Sequence, residues 1–244
     1  MVLITTRHDN GKIQLLSILE NRKKETVKDF LLSIPKELRD TIENVCTDLY
    51  DGYINAAQEV LGEKVTIIAD RFHVTRLYRK AVDQLRKKEM KRLKEELSEE
   101  EYRSLHNVMW IIRKRPEQLS DEEKQTLHKL FDWSPKLKLA YLFSITLTAI
   151  FDSELTQEEA RLELIAWISL AKSNDLSCFS TFSNTLNSYM TPITNYFIDR
   201  KNSGFVEGLN NKVKLIKRRC YGMLNLTHFF QRISLDLLGY GEFA

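Results

Sequence analysis

Apolar residues recur with two periods along the chain. In the first seventy residues short β-rich runs alternate with helical spacing, and beyond residue 98 helical spacing dominates. Val2–Thr6 and Ile13–Leu19 flank Asp9-Asn10-Gly11, a sequence that suits a tight turn, so the two runs are predicted to form a hairpin. Thr26 is placed to cap a helix carrying Val27, Phe30, Leu31 and Ile34 on one face, which must stop before Pro35. Ile42–Thr47 reads as a third strand, Tyr53–Leu61 as a helix closed by Gly62, and Val65–Ala69 as a fourth strand. A long helix is predicted from near Arg71 to about Leu97.

The helical stretches that follow are Tyr102–Ile112, Asp121–Phe131, Leu137–Phe151, Thr156–Ala171 and one near Thr181–Tyr196. Ser120 with Glu123, and Thr156 with Glu159, have the spacing of capping boxes. Trp110, Trp133 and Trp167 fall in this block and are expected in its core. The pattern predicts an α/β part in residues 1–97, a helical insertion in 98–196, and a return to the α/β part in 197–244. In the last part Glu207–Arg219 reads as a helix. Val206, Leu209, Val213 and Ile216 mark its core side, and Glu207, Asn210, Lys214 and Lys217 share the opposite face.

Charge sharpens this picture. The net charge is only +3, but residues 71–94 hold ten Lys or Arg against Asp83 and Glu89, and residues 200–219 hold seven against Glu207. Two short segments therefore carry all the positive excess, which points to a polyanionic partner; a pair of solvated helix faces is the plainer alternative. Cys46, Cys178 and Cys220 lie far apart with no CxxC pair, so neither a disulfide framework nor a zinc ribbon is expected. Cys46 reads as a small core residue. No apolar run is long enough to span a bilayer, the first ten residues do not read as a signal peptide, and a cytoplasmic location is expected.

Two apolar strands each end in an aspartate, Asp48 and Asp70, and each feeds a helix. Carboxylates at strand ends suit a metal site, although aspartate in that position is more commonly a helix cap. Tyr50, Tyr53, Phe72 and Tyr78 lie near these aspartates in sequence, as stacking platforms for bases or as packing residues.

Three segments carry a resemblance: VCTDLYDGYINAAQEVL, TIIADRFHVTRLYRKAVDQLR and SGFVEGLNNKVKLIKRRCYGMLNLTHFFQRI. Together they resemble the DDE transposases of bacterial insertion sequences, and most closely the ISL-three family, over nearly the whole length from Val2 to about Ile233. The resemblance implies a ribonuclease-H-like α/β fold interrupted by an all-helical insertion, with Asp, Asp and Glu binding two divalent ions, Mg²⁺ or Mn²⁺. It places the second Asp at Asp48 and the Glu at Glu207. Asp70 and His73 belong to its DRFH motif and fall at the edge of the site, and Asn210 falls in a supporting position. Arg71, Lys214, Lys217 and Arg218 are placed to hold DNA. Hard oxygen ligands suit Mg²⁺, which activates an attacking oxygen and steadies a leaving one in phosphodiester chemistry. DNA, as insertion-sequence ends and target, is the implied partner, with homo-oligomer assembly, no membrane, and an association with the bacterial nucleoid.

The chain departs from that pattern in one respect. The family's first Asp lies on a strand preceding the one that matches Val2–Thr6, so the fold is expected to lack its first strand and the chain is read as amino-terminally truncated. Cleavage activity of the chain in isolation is accordingly expected to be low or nil. The leading reading is a transposase performing metal-dependent DNA cleavage and strand transfer. One alternative is a catalytically inactive remnant that only binds DNA or transposase subunits. Another is a repurposed nuclease in which Asp51 or Asp70 replaces the missing Asp.

Overall fold

The computed structural model describes residues 2–8, 11, 13–201, 204–221 and 225–238; at 204–207, 226, 237 and 238 it describes the helical backbone alone. Helices dominate, with two small sheets. The chain divides into two compact units, residues 1–67 with 202–244, and residues 68–201.

The first unit opens with strands β1 (Val2–Arg7) and β2 (Ile13–Leu19), paired antiparallel with Val2 opposite Leu19 and Arg7 opposite Ile13. The register shifts between Ile4 and Thr5, so Ser17 and Leu15 find partners and Leu16 bulges outward. Of the predicted turn, Asp9 and Asn10 lie outside the described residues. Gly11 has φ of 80°, a region that a side chain disfavours, and its N–H reaches the His8 carbonyl at 2.8 Å. Helix α1 (Lys24–Ser33) buries Val27 and Leu31 and ends before Pro35, as its spacing predicts. Its start differs from the expectation: Thr26 lies inside the helix and donates to the Asn21 side chain at 2.9 Å, and the Lys23 N–H bonds the same oxygen. A short helix, α2 (Lys36–Arg39), follows Pro35. Strand β3 (Asn44–Thr47) and helix α3 (Asp51–Leu61) come next, followed by strand β4 (Thr66–Ala69), within which the first unit ends; β3 pairs with β4. Gly62 closes α3 with φ of 79°.

The second unit is helical. Its main beam is α4 (Arg71–Glu96), which buries Val74, Tyr78, Val82, Leu85 and Leu93 on one side. The stretch predicted as one helix from Tyr102 to Ile112 is two short ones, α5 (Glu99–Arg103) and α6 (Val108–Ile111). Asn107 breaks it with φ of 61°, a conformation that asparagine tolerates because its short side chain bonds locally. Then come α7 (Asp121–Trp133), α8 (Pro135–Asp152) and α9 (Gln157–Ser173), with both predicted capping boxes formed at Ser120 and Thr156. The stretch 181–196 is also broken, into α10 (Ser180–Ser188), α11 (Met190–Thr194) and α12 (Tyr196–Asp199). The core packs Trp167 edge-on against Phe179 and Phe182, and its indole N–H donates to the Phe143 carbonyl at 3.0 Å. Trp110 departs from the core expectation: it is 59% exposed, with Arg113 over its ring.

Returning to the first unit, α13 (Gly204–Arg219) and α14 (Leu226–Leu238) finish the described chain. Val213, Ile216, Phe229 and Ile233 form one core with Ile18 of β2, and Leu209 packs against it. The predicted core side of α13 is thus correct at Leu209, Val213 and Ile216, while the Val206 side chain lies outside the described residues.

Candidate active site

Asp48 directly follows β3, and Asp70 directly follows β4, as the strand endings predict. Asp48 belongs to the first unit, and Asp70 with His73 to the second. Their settings differ sharply.

The Asp48 carboxylate is one-third exposed. Arg22, from the polar stretch between β2 and α1, donates to its Oδ2 at 3.0 Å. The same guanidinium donates through Nε to the Tyr53 hydroxyl at 2.9 Å and stands over the rings of Tyr50 and Tyr53 at 5.9 and 5.7 Å. The two rings meet edge to face at 4.9 Å. The Tyr53 bond and the negative charge of Asp48 raise the proton affinity of Arg22 above its ordinary value, against a smaller opposing effect of burial. Gly52 makes room for this arrangement: a Cβ there would come within 2.5 Å of the Tyr50 ring. Tyr50 and Tyr53 therefore face a cation in this structure. Arg22 was not legible as a site residue, because nothing in GluAsnArgLys marks one cation among its neighbours.

Asp70 is only 4% exposed and acts as the cap of α4. Its Oδ1 accepts the Phe72 N–H at 3.1 Å, and its Oδ2 lies 3.1 Å from His73 Nδ1. Phe72 packs edge-on to His73. Tyr78 is a packing residue: it is buried against Phe182, and its hydroxyl is 2.9 Å from Thr148 Oγ1. Arg71 is engaged within its own unit, donating to Asp152 and to the Tyr196 hydroxyl, the latter at 3.1 Å, and standing over Phe151 and Tyr196. Burial lowers its proton affinity, and the bonds to Asp152 and Tyr196 more than offset this.

Glu207 lies on the first half of α13, and its side chain is outside the described residues. Asn210 is half-buried, and Lys214, Lys217 and Arg218 are exposed, whereas Val213 and Ile216 of the same helix are buried. Cys46, expected in the core, is half-buried, as are Cys178 and Cys220.

A divalent ion needs several hard oxygen donors converging. Asp48 has the right donor chemistry and exposure, and Arg22 competes for its Oδ2. Among the described residues no group of three or more His, Cys, Asp or Glu is set to hold a metal ion. The described donors thus fit in type but do not by themselves make a closed site. No described helix is long and apolar enough to cross a membrane.

Comparison with known proteins places these features. A transposase family profile of the ISL-three DDE type matches residues 1–233. The transposase for insertion sequence element IS1001 of Bordetella parapertussis is 25% identical over 227 residues, which is 93% of this chain and 55% of that protein, so the chain spans about half the length of this curated relative. No solved structure matches. With the profile covering nearly all of the sequence, including Asp48, the DRFH segment and Glu207, the chain belongs to the ISL-three-type family of DDE transposases.

Proposed function

We propose that the chain works in DNA transposition, with Asp48 and Glu207 as carboxylates of a metal-dependent site for DNA cleavage and strand transfer. The observation that carries this reading is the family match across residues 1–233, a span that holds both acids. Family membership implies DNA as partner and a divalent ion as cofactor. The proposal includes a ribonuclease-H-like arrangement of the α/β elements, interrupted by a helical insertion over 98–196. Asp48 and Glu207 would hold the ion, and bound Mg²⁺ or Mn²⁺ would supply the positive charge that phosphoryl transfer requires. Asn210, Lys214, Lys217 and Arg218 form the DNA-facing side of α13: the cations neutralise backbone phosphates, and Asn210 orients Glu207 or bonds a phosphate. Asp70 with His73 keeps the DRFH segment folded at the start of α4. Arg71 already donates to Tyr196 and Asp152, and in this reading its remaining N–H groups add a phosphate contact.

A second reading is DNA binding without chemistry. The ion pair between Arg22 and Asp48 favours it, since a carboxylate neutralised by a guanidinium is a weaker metal ligand. Titration calorimetry with Mn²⁺, alongside a cleavage assay on labelled duplex, separates the two. Under the first reading Mn²⁺ binds, and both binding and any nicking weaken at least about tenfold in Asp48→Asn and in Glu207→Gln. If both variants bind Mn²⁺ and DNA as the parent does, the carboxylate assignment is wrong and the second reading stands.

A further inference from the structure

Helix α4 carries a second basic surface, separate from α13. Arg76, Lys80, Lys91 and Lys94 are all exposed. At 3.6 residues per turn their spacing puts them within about 60° of one another, on the side opposite the buried Val74, Tyr78, Leu85 and Leu93. The stripe runs for about 27 Å at 1.5 Å per residue, roughly the axial length of eight base pairs.

None of these four cations forms an ion pair among the described residues, and neither do the exposed Arg79 and Lys88, which fall to either side of the stripe. Other cations on the same helix do. Arg86 and Lys87 both bind Asp83, and Arg92 binds Glu89 and Glu96. A helix stabilised by its own surface charges would pair Lys and Arg with acids three or four positions away. Beside this stripe Asp83 is already surrounded by Arg86, Lys87 and Arg113, and Glu95, four positions after Lys91, forms no ion pair among the described residues. The four remaining charges repel one another along the helix, a local cost that a polyanion would relieve.

The apolar side of α4 is packed into the core of its own unit against α8, so it cannot also enter a lipid surface, as an amphipathic membrane helix must. A straight, rigid row of unpaired cations fits an evenly charged rod. We propose that Arg76, Lys80, Lys91 and Lys94 form a sequence-independent track for the phosphate backbone of duplex DNA. This inference rests on the transposition reading for its choice of polyanion. It adds a DNA surface in the helical unit to the one proposed on α13.

The test uses the full chain and a fluorescent random-sequence duplex of thirty base pairs, with anisotropy measured over a range of salt concentrations. A quadruple variant, R76Q/K80Q/K91Q/K94Q, is compared with a control of equal charge change, K129Q/K136Q/K138Q/K172Q, whose lysines are exposed on other helices of the same unit. Far-UV circular dichroism establishes that both variants are folded. Each phosphate contact contributes about 0.9 to the slope of log affinity against log salt. The track variant should therefore lose about three to four units of slope and at least about tenfold in affinity, and the control should lose little. Equal losses in both variants, or none in the track variant, overturn the track. So does a parent chain that prefers double-stranded RNA or phosphatidylserine vesicles over duplex DNA. If the parent binds no DNA at all, the transposition reading falls with it. DNA binding that K214Q/K217Q weakens and the track variant does not would leave that reading intact and remove only this inference.

Discussion

At the scale of single residues, Arg22 and Asp48 decide how the candidate carboxylate behaves. Their pair lies at the surface, with Arg22 60% and Asp48 33% exposed, so solvent screens it and its net worth is about 0.2–1 kcal/mol. That is small for folding but direct for a metal, because the guanidinium both occupies Oδ2 and repels a cation. Under the proposed function Arg22→Ala should tighten Mn²⁺ binding by up to about fivefold in calorimetry, the factor that 1 kcal/mol represents. Weaker Mn²⁺ binding in that variant would mean that Arg22 supports the site rather than competing for it. The strand endings made Asp48 and Asp70 visible in the sequence as two similar acids. Their difference was not visible, because it depends on what lies opposite each: for Asp48 an arginine from 26 positions earlier, for Asp70 the first turn of its own helix. The cap at Asp70 is local and can be anticipated, whereas the partner of Asp48 is set by tertiary structure.

At the scale of elements the same division holds. Amphipathic period and capping boxes located α4, α7, α8 and α9 to within a few residues, since each carries a continuous apolar face and its own start signal. Helices inferred over 102–112 and 181–196 were too long, because the period survives a single left-handed or kinked residue such as Asn107 or Tyr189 that the backbone does not continue through. Helix α14 is not marked by the periodicity, yet it supplies Phe229 and Ile233, two of the five buried residues of its core. The junction of α4 with α7 and α8 rests on Glu89. Its Oε2 accepts from Ser134 at 2.7 Å and from Arg92 at 2.7 Å, and Arg92 also reaches the Trp133 carbonyl at 2.9 Å. Burial pushes the Glu89 carboxyl up, but the bonds from Ser134 and Arg92 and the charge of Lys136 outweigh it and hold it below its ordinary range. A carboxyl depressed in the folded state adds stability that is fully present above its unfolded pKa and is lost as pH falls through the folded value. Glu89→Gln should therefore cost roughly 1–2 kcal/mol at pH 7 and clearly less near pH 3, measured by urea unfolding at both. A cost that does not shrink on acidification would show that packing, not charge, holds the junction.

At the scale of the whole molecule, the first unit is built from two ends of the sequence. Ile18 of β2 meets Val213 and Ile216 of α13 and Phe229 and Ile233 of α14, so this core closes only after the entire second unit has been traversed. Closing so long a loop costs little more than closing a moderate one, since the entropy grows with the logarithm of length. The stability of the first unit therefore depends mainly on how well these few side chains pack. It also means that α13, which carries Glu207, stands on this core, its packing side anchored by Phe229 and Ile233. Phe229 is almost fully buried, so Phe229→Ala removes a large apolar group from a small core and should cost about 3–5 kcal/mol. Hydrogen exchange gives the more telling readout. If the core is one cooperative unit, amides of β2, α13 and α14 should lose protection together in the variant. Loss confined to α14 would mean that α13 holds its position without it, and the support of Glu207 would then have to come from β2 alone.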